Sequence, residues 1–112
     1  MTTTSSATVT RGTWTAVCSA SLDPGIYIID GSLHFPSNES GNRELEIYNT
    51  GYAANKNRVN KSAVTGDYTI ISHSLTVAVE STKTISLRAY HTAGTSGTTL
   101  SVTGYLTYTR IR

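Results

Sequence analysis

The stretch that decides the fold of this 112-residue chain is residues 24–35, PGIYIIDGSLHF. A proline–glycine turn opens it, and the β-branched and aromatic residues 26–29 favour a pleated strand over a helix. Asp30 and Gly31 could form a tight hairpin turn. We favour one long strand bent at Gly31, because a glycine inside a strand pattern often marks a bulge or bend. Such a strand is expected at the centre of a sheet, with its apolar face covered by other strands.

The composition indicates an all-β protein with a single domain. Hydrophobic residues make up 38% of the chain and charged residues only 14%, and serine and threonine fill the stretches between the apolar runs. Threonine suits strands, and the nine glycines suit turns. A chain of this length can bury a core without disulfides or metals.

Alternation of apolar and polar residues predicts several further strands. They cover residues 13–20, 43–49, 68–79, 85–90 and 99–112. In the first of them, Trp14, Ala16, Cys18 and Ala20 are expected to face inward. Residues 50–67 are interpreted as a short edge strand or a surface loop. The threonine- and serine-rich residues 1–12 are predicted to be a flexible lead-in or linker, and residues 13–112 the folded domain.

Charge and cysteine usage exclude several classes of function. A formal net charge of +2, without a basic run, argues against nucleic-acid binding. No apolar run is long enough for membrane insertion, and no signal peptide follows Met1. The single cysteine, Cys18, cannot form a disulfide within the chain and is expected to pack as a small hydrophobe.

Four segments then occur in an order that resembles a known family. They are PGIYIIDGSLHF, GNRELEIYNTG, SLTVAVESTKTISLRAYHTAG and SVTGYLTYTRI. The ordered set resembles the jelly-roll head domain of the tumour-necrosis-factor and complement globular-head group. It is most similar to the C-terminal domains of bacteriophage baseplate or tail-fibre proteins and of bacterial collagen-like surface proteins. The resemblance covers about residues 13–112.

The resemblance implies an antiparallel two-sheet jelly-roll sandwich that assembles as a homotrimer, usually above a stalk. No coiled coil or collagen-like repeat stands upstream in this chain. An aromatic exterior gives independent support for self-association. Its members are Tyr48, Tyr90, Tyr105 and Tyr108, together with Gly104. Alternatively, these tyrosines only cap the sheet edges with their hydroxyl groups in water.

The three histidines, His34, His73 and His91, do not form a zinc motif within one chain. We expect His34 and His91 on solvent faces and His73 as a partly buried, hydrogen-bonded ring. In a threefold assembly one histidine near the axis would be repeated three times, which is the only arrangement that could hold a metal. We therefore predict no metal site and no cofactor.

Paired carboxylates raise the question of catalysis. Glu44 and Glu46 point the same way along one strand, about 7 Å apart, and a pair at that distance could suggest glycoside hydrolysis. With Arg43 beside them, a solvated charge cluster is the better interpretation. No nucleophile elbow or phosphate loop is present. The sequence predicts a protein without catalytic activity.

Polar loops offer the candidate ligand site, since loops on a rigid sandwich are where binding residues concentrate. Amides and guanidinium groups bond sugar hydroxyls or phosphates, and a tyrosine ring can stack on a sugar. The predicted ligand-binding residues are Asn38, Tyr52, Asn55, Asn57 and Arg58. Solvated loops without a ligand are the alternative.

The resemblance implies a structural or host-attachment head domain in a phage virion, at a baseplate, tail or fibre, and the polar loops are its candidate saccharide site. Its partners would be two further copies of itself, other virion subunits and a saccharide of the host cell wall or cell surface. The alternative is a secreted or spore-surface head domain of complement or collagen-like type that binds protein partners.

Overall fold

A computed structural model describes residues 1–36, 41–64 and 67–112, and of residues 54 and 55 only the backbone. Strands make up most of the described chain: β1 (Thr2–Thr10), β2 (Thr15–Leu22), β3 (Gly25–Phe35), β4 (Asn42–Tyr48), β5 (Arg58–Ser62), β6 (Thr69–Val79), β7 (Lys83–His91) and β8 (Thr99–Arg110). One helical turn, α1 (Ala54–Asn57), precedes β5. No helix in the described ranges is long and apolar enough to cross a membrane.

The strands form two antiparallel four-stranded sheets. Sheet I has the order β1-β8-β3-β6 and sheet II the order β2-β7-β4-β5. The chain pairs its first strand with its last, its second with its seventh, its third with its sixth and its fourth with its fifth. These pairs alternate between the sheets, so the chain folds as one long antiparallel ribbon wrapped around the core. This is the eight-stranded jelly roll, and the predicted all-β fold is confirmed.

The stretch quoted first is a central strand, as predicted. Strand β3 pairs with β6 on one side and β8 on the other, and Gly31 lies opposite both His73 and Leu106. The register is continuous there, so the alternative of a hairpin turn at residues 30–31 is wrong. A Cβ atom at Gly31 would lie 2.7 Å from Leu87 Cδ1 of the facing sheet. Glycine therefore allows the two sheets to approach closely at this point.

The core lies between the sheets and takes fully buried side chains from every strand except β5, whose Val59 is partly buried against it. Strand β3 contributes Ile29, Leu33 and Phe35, none of which is exposed to solvent. The facing sheet contributes residues such as Ile47 and Leu87, which are also fully buried. Alternation within each strand fixes which residues are buried, because successive side chains point to opposite faces.

The first twelve residues are not the flexible lead-in that the sequence predicted. Strand β1 pairs with β8 from Thr2 to Thr10, and the side chain of Val9 is fully buried. Hydroxyl groups connect the two strands on the outside, with Ser6 Oγ 2.9 Å from Thr103 Oγ1. Threonine-rich sequence is polar, yet it suits an edge strand whose outer side chains bond across to a neighbour. Strand β1 is therefore part of the folded domain.

The inner face of β2 also differs from the prediction. The register shifts between Ala16 and Cys18, so that Val17 and Cys18 are both buried and Ala16 is exposed. A bulge of this kind inserts one residue and reverses the alternation. Trp14 is consequently placed on the outside of sheet II. Burial raises the pKa of the Cys18 thiol, in agreement with the packing role predicted for it.

Candidate functional site

The outer face of sheet II carries a cluster that we call the aromatic–guanidinium platform. It consists of Trp14, Glu46, Tyr48, Arg58, Arg88 and Tyr90. The Glu46 side chain is only 6% exposed and is bound on both of its oxygens. Arg58 Nε lies 2.7 Å from Oε2, and Arg88 contacts Oε1 through Nη2 and through Nε at 2.8 Å. One carboxylate thus orients two guanidinium groups.

Aromatic rings surround these guanidinium groups. Arg58 Cζ lies 4.7 Å from the ring centroid of Trp14, and Arg88 Cζ lies 4.1 Å from that of Tyr48. The Trp14 ring in turn packs 5.1 Å from Tyr90, centroid to centroid. Cations over aromatic faces are attracted by the negative charge of the ring face. The platform is therefore held rigidly from both sides.

Strand register explains why the platform forms. Glu46 on β4 is the cross-strand partner of Arg58 on β5 and of Arg88 on β7. Tyr48 and Tyr90 lie two residues further along their own strands and so share the outer face. Residues that are distant in sequence meet because three strands align them in one row.

The charge cluster predicted around Glu44 and Glu46 is only partly correct. Glu46 is buried under the two arginines, and is not solvated. Arg43 is on the opposite face of β4, also buried, with its Cζ atom 5.8 Å from the Phe35 ring centroid. Alternation explains the difference, since residues 43 and 46 point to opposite sides of the strand.

The chain between β4 and β5 forms a rigid loop around Asn57. The Asn57 side chain donates through Nδ2 to the carbonyl oxygens of Tyr52 at 3.0 Å and of Ala53 at 3.1 Å. Its Oδ1 atom accepts a hydrogen bond from Thr50 Oγ1 at 2.7 Å. Thr50 Oγ1 also accepts from the backbone N–H of Tyr52 at 3.2 Å. Asn57 is 5% exposed and holds the loop in shape from inside.

This loop presents the Tyr52 ring beside an open depression that we call the Tyr52 cleft. The ring is 43% exposed, and its hydroxyl donates to the Thr76 carbonyl oxygen at 2.8 Å. The cleft has a volume of about 350 Å³ and is lined by Thr50, Gly51, Tyr52, Ala78, Glu80, Ser81 and Lys83. A left-handed backbone at Asn49 and Gly51, with φ of 73° and 86°, turns the chain around its rim.

A second depression joins the cleft to the platform. It has a volume of about 270 Å³ and shares Thr50, Gly51 and Tyr52 with the cleft. At its other end it reaches Glu46 and Tyr48 of the platform. The cleft and the platform are therefore parts of one continuous surface at one end of sheet II.

The predicted ligand-binding residues are distributed unevenly over this surface. Tyr52 and Arg58 are exposed there, whereas the Asn57 side chain is buried and forms its hydrogen bonds within the loop. Asn38 and the side chain of Asn55 lie outside the described residues. Sequence reasoning missed the other members of the surface: Trp14, Glu46, Tyr48, Glu80, Lys83 and Arg88. The sequence shows polar residues at alternate positions of each strand. It does not show the pairing register of the strands, which brings these residues together.

One histidine differs from the prediction. His91 is fully buried, not solvent-facing: its Nε2 atom lies 2.8 Å from the Val9 carbonyl oxygen, and its Nδ1 accepts from Ala93 N–H at 3.1 Å. Burial, with the positive charges of Arg43 and Arg11, lowers the pKa of His91. His73 is half-buried and bonded through Nε2 to the Lys56 carbonyl oxygen at 2.8 Å, as predicted.

The outer face of sheet I is different in chemistry. It carries the partly exposed apolar side chains Ile28, Ile70 and Tyr105, with Tyr68 beside them at the start of β6. Beside Tyr105 lies a shallow depression of about 450 Å³, which is lined by Asp30, Gly31, Ser32, Ser72, His73, Ser74, Tyr105 and Thr107. The His34 ring packs 4.8 Å from the Tyr105 ring, centroid to centroid.

The aromatic exterior predicted from the sequence is therefore only partly free. Tyr48 and Tyr105 are exposed. Tyr90 is covered by Trp14, and Tyr108 packs edge-on against Tyr27. Gly104 faces the core, where a Cβ atom would lie 2.8 Å from a methyl group of Val17. Uncovered apolar surface is consequently concentrated on sheet I.

Among the side chains that the structure describes, no three of His, Cys, Asp and Glu come together as a metal site would require. Comparison with protein-family models finds no match for the chain. A search of curated proteins likewise finds no match. Function must therefore be argued from the surfaces themselves.

Proposed function

We propose that this chain is a non-catalytic head domain of a phage baseplate, tail or fibre, which assembles as a homotrimer and attaches the virion to a saccharide of the host surface. The observation that carries the proposal is the Tyr52 cleft. There an exposed aromatic ring is fixed by internal hydrogen bonds next to groups that can bond hydroxyls. The position on the virion and the threefold symmetry follow from the family resemblance.

The chemistry of the cleft suits a sugar. The apolar face of a pyranose ring can lie on the Tyr52 ring, while hydroxyls of the sugar bond to Glu80, Ser81 and Lys83 along the rim. Binding to a mobile loop would cost ordering entropy. The buried amide of Asn57 has already fixed this loop, so that cost is reduced.

The outer face of sheet I is the surface that we assign to the trimer interface. Four strands of 9 to 12 residues, about 4.8 Å apart and rising about 3.3 Å per residue, give a face of roughly 700 Å². A standard interface buries about 800 Å² per partner. Asp30 is the one ionised side chain at the outward positions of the four strands, all of which lie in the described ranges. A face with so little charge can meet its own copies without repulsion.

An array of bacterial surface polysaccharides, probed with the labelled domain, tests the attachment role. We expect binding that Tyr52→Ala abolishes, because the stacking surface is lost. Ile111→Ala, which truncates an exposed side chain that lines neither the cleft nor the depression beside the platform, is the control and should bind like wild type. Binding to host cells that is destroyed by protease but not by periodate would instead favour a protein receptor, as in a complement-like head domain.

A further inference from the structure

We propose that the aromatic–guanidinium platform binds the negatively charged group of an acidic saccharide whose neighbouring sugar lies in the Tyr52 cleft. The inference rests on the proposed function and narrows it to one class of ligand. A carboxylate or sulfate on the sugar would be bound by Arg58 and Arg88. The ligand would therefore be a uronic-acid, sialic-acid or sulfated glycan and not a neutral one.

Unused hydrogen-bond donors are the first argument. Glu46 accepts from Arg58 only through Nε, which leaves the two terminal nitrogens of that guanidinium without a polar partner in the described part of the chain. The Arg58 side chain is 40% exposed, so these donors are open to solvent. A guanidinium presents its terminal N–H groups as a planar fork, which matches a carboxylate or sulfate in two parallel bonds.

The charge balance is the second argument. A structural ion pair needs one cation for one carboxylate, but in the described part of the chain the two guanidinium groups pair with the single carboxylate of Glu46. Glu44 lies two residues before Glu46, about 7 Å away along the strand, on the same face. The incoming anion is therefore expected on the Tyr48 side of the arginines, away from Glu44.

Preorganisation is the third argument. Both guanidinium planes are already fixed by Glu46 beneath them and by the Trp14 and Tyr48 rings beside them. Side chains that are rigid before binding lose little entropy when a ligand arrives. Tyr48 is also 49% exposed, so its ring, beside the Arg88 guanidinium, offers a second surface on which a sugar can stack.

Continuity with the cleft is the fourth argument and sets the order of the ligand. The depression that connects the two sites runs from Tyr52 to Tyr48 and Glu46. A sugar on the Tyr52 ring would thus have its neighbour over Tyr48, with a charged substituent directed at the arginines. This arrangement requires at least a disaccharide.

The direct test compares each carboxylated oligosaccharide with its own methyl ester, and each sulfated one with its desulfated form, so that every acid is paired with the same sugars in uncharged form. On a glycan array with such pairs, we expect the acid to bind the wild-type domain about tenfold or more tightly than its uncharged form, the ratio that one charged hydrogen-bond pair contributes. Equal binding of the acid and its uncharged form overturns this inference and leaves the proposed function standing. Binding of no glycan at all overturns both.

Matched charge variants on β5 locate the effect. Arg58→Gln should reduce binding of the acid about tenfold and leave binding of the uncharged form unchanged. Lys61→Gln removes the same charge from the same strand, but its side chain lies on the other face, near the Ile70 carbonyl oxygen, and should bind like wild type. Equal losses in the two variants would show that general charge attraction, not the platform, accounts for binding.

Arg58→Lys separates the effect of the two parallel hydrogen bonds from the effect of the positive charge. It retains the cation but cannot make two parallel hydrogen bonds, so we expect it to lose most of the preference for the acid. Thermal unfolding of each variant controls for folding. The preference of the wild-type protein for the acid over its uncharged form tests the inference without any substitution, so a variant that fails to fold does not leave it undecided.

Discussion

The two outer faces of this sandwich arise from the same alternation of side chains, but they expose different kinds of side chain to solvent. Sheet II places charged and aromatic residues outside, where Glu46, Arg58 and Arg88 bind one another. Sheet I places serine, threonine and isolated apolar side chains outside, where Ile70 and Tyr105 stay partly exposed. The first face is organised within one chain, and the second leaves apolar surface uncovered.

From this difference we infer which face binds a ligand and which face associates with other copies of the chain. A surface with internally fixed charges can meet a polar ligand without rearranging, because its side chains are already oriented. A flat, nearly uncharged surface gains most by being covered, since burial of apolar area is favourable. We therefore expect ligand recognition on sheet II and self-association on sheet I. The following measurements test this assignment of the two faces.

The largest effect is expected from a charge on sheet I. Ile70→Glu would put carboxylates into the proposed trimer interface, where an unpaired buried charge is very costly. We expect light scattering at micromolar concentration to give a trimer for the wild-type protein and a monomer for this variant.

The matched control is Tyr48→Glu, which places the same charge on an exposed position of sheet II. It should remain a trimer. A wild-type monomer, or dissociation caused by the sheet II variant alone, would contradict the assignment of the two faces.

The next largest effect concerns the ion pairs of sheet II. Glu46→Gln leaves two partly buried guanidinium groups without their counter-charge, and we expect it to reduce the free energy of unfolding by about 2 kcal/mol. Glu80→Gln removes an exposed carboxylate that forms no ion pair within the described part of the chain, and it should unfold with the wild type. Denaturant titration measures both. If Glu46→Gln is as stable as the wild type, the ion pairs of Glu46 contribute no more than a surface salt bridge.

The strands of the core were predictable because alternation is a local property of the sequence. Residues such as Leu33, Leu45 and Leu87 alternate with polar neighbours, and each is buried as that pattern indicates. Strand β1 was missed because TTTSSATVT contains little apolar signal, with only Val9 reaching the core. What makes it a strand is its partner β8, which is nearly a hundred residues away in the chain.

The candidate site was predictable only where one residue carries the chemistry. Tyr52 and Arg58 could be selected as single residues in a polar loop. The platform could not, because it depends on the register that aligns Glu46 with both Arg58 and Arg88. The inward turn of Asn57 follows from closure of its loop, which no local pattern indicates. The bulge in β2, which places Trp14 on the outside of sheet II, is likewise not indicated by any local pattern in the sequence.

The smallest expected effect lies where the two sheets meet, at the end of β7. His91 connects β7 of sheet II to the Val9 carbonyl oxygen of β1 in sheet I. Its buried ring is neutral in the folded state, because burial and the nearby Arg43 and Arg11 lower its pKa below the usual value near 6.5. In the unfolded chain it gains a proton once the pH falls below that value. The unfolded state then binds more protons than the folded state, so stability decreases as the pH falls from about 6.5 towards the folded pKa.

Urea unfolding at pH 7.5 and pH 5.5 measures this loss of stability in the wild-type protein and in His91→Gln. The other two histidines are present in both proteins, so the difference between them isolates His91. We expect His91→Gln to be less stable than wild type at pH 7.5, because the bond to Val9 is weakened, but to lose less stability on acidification. If both proteins lose the same amount, His91 is not the group that makes the stability depend on pH in this range.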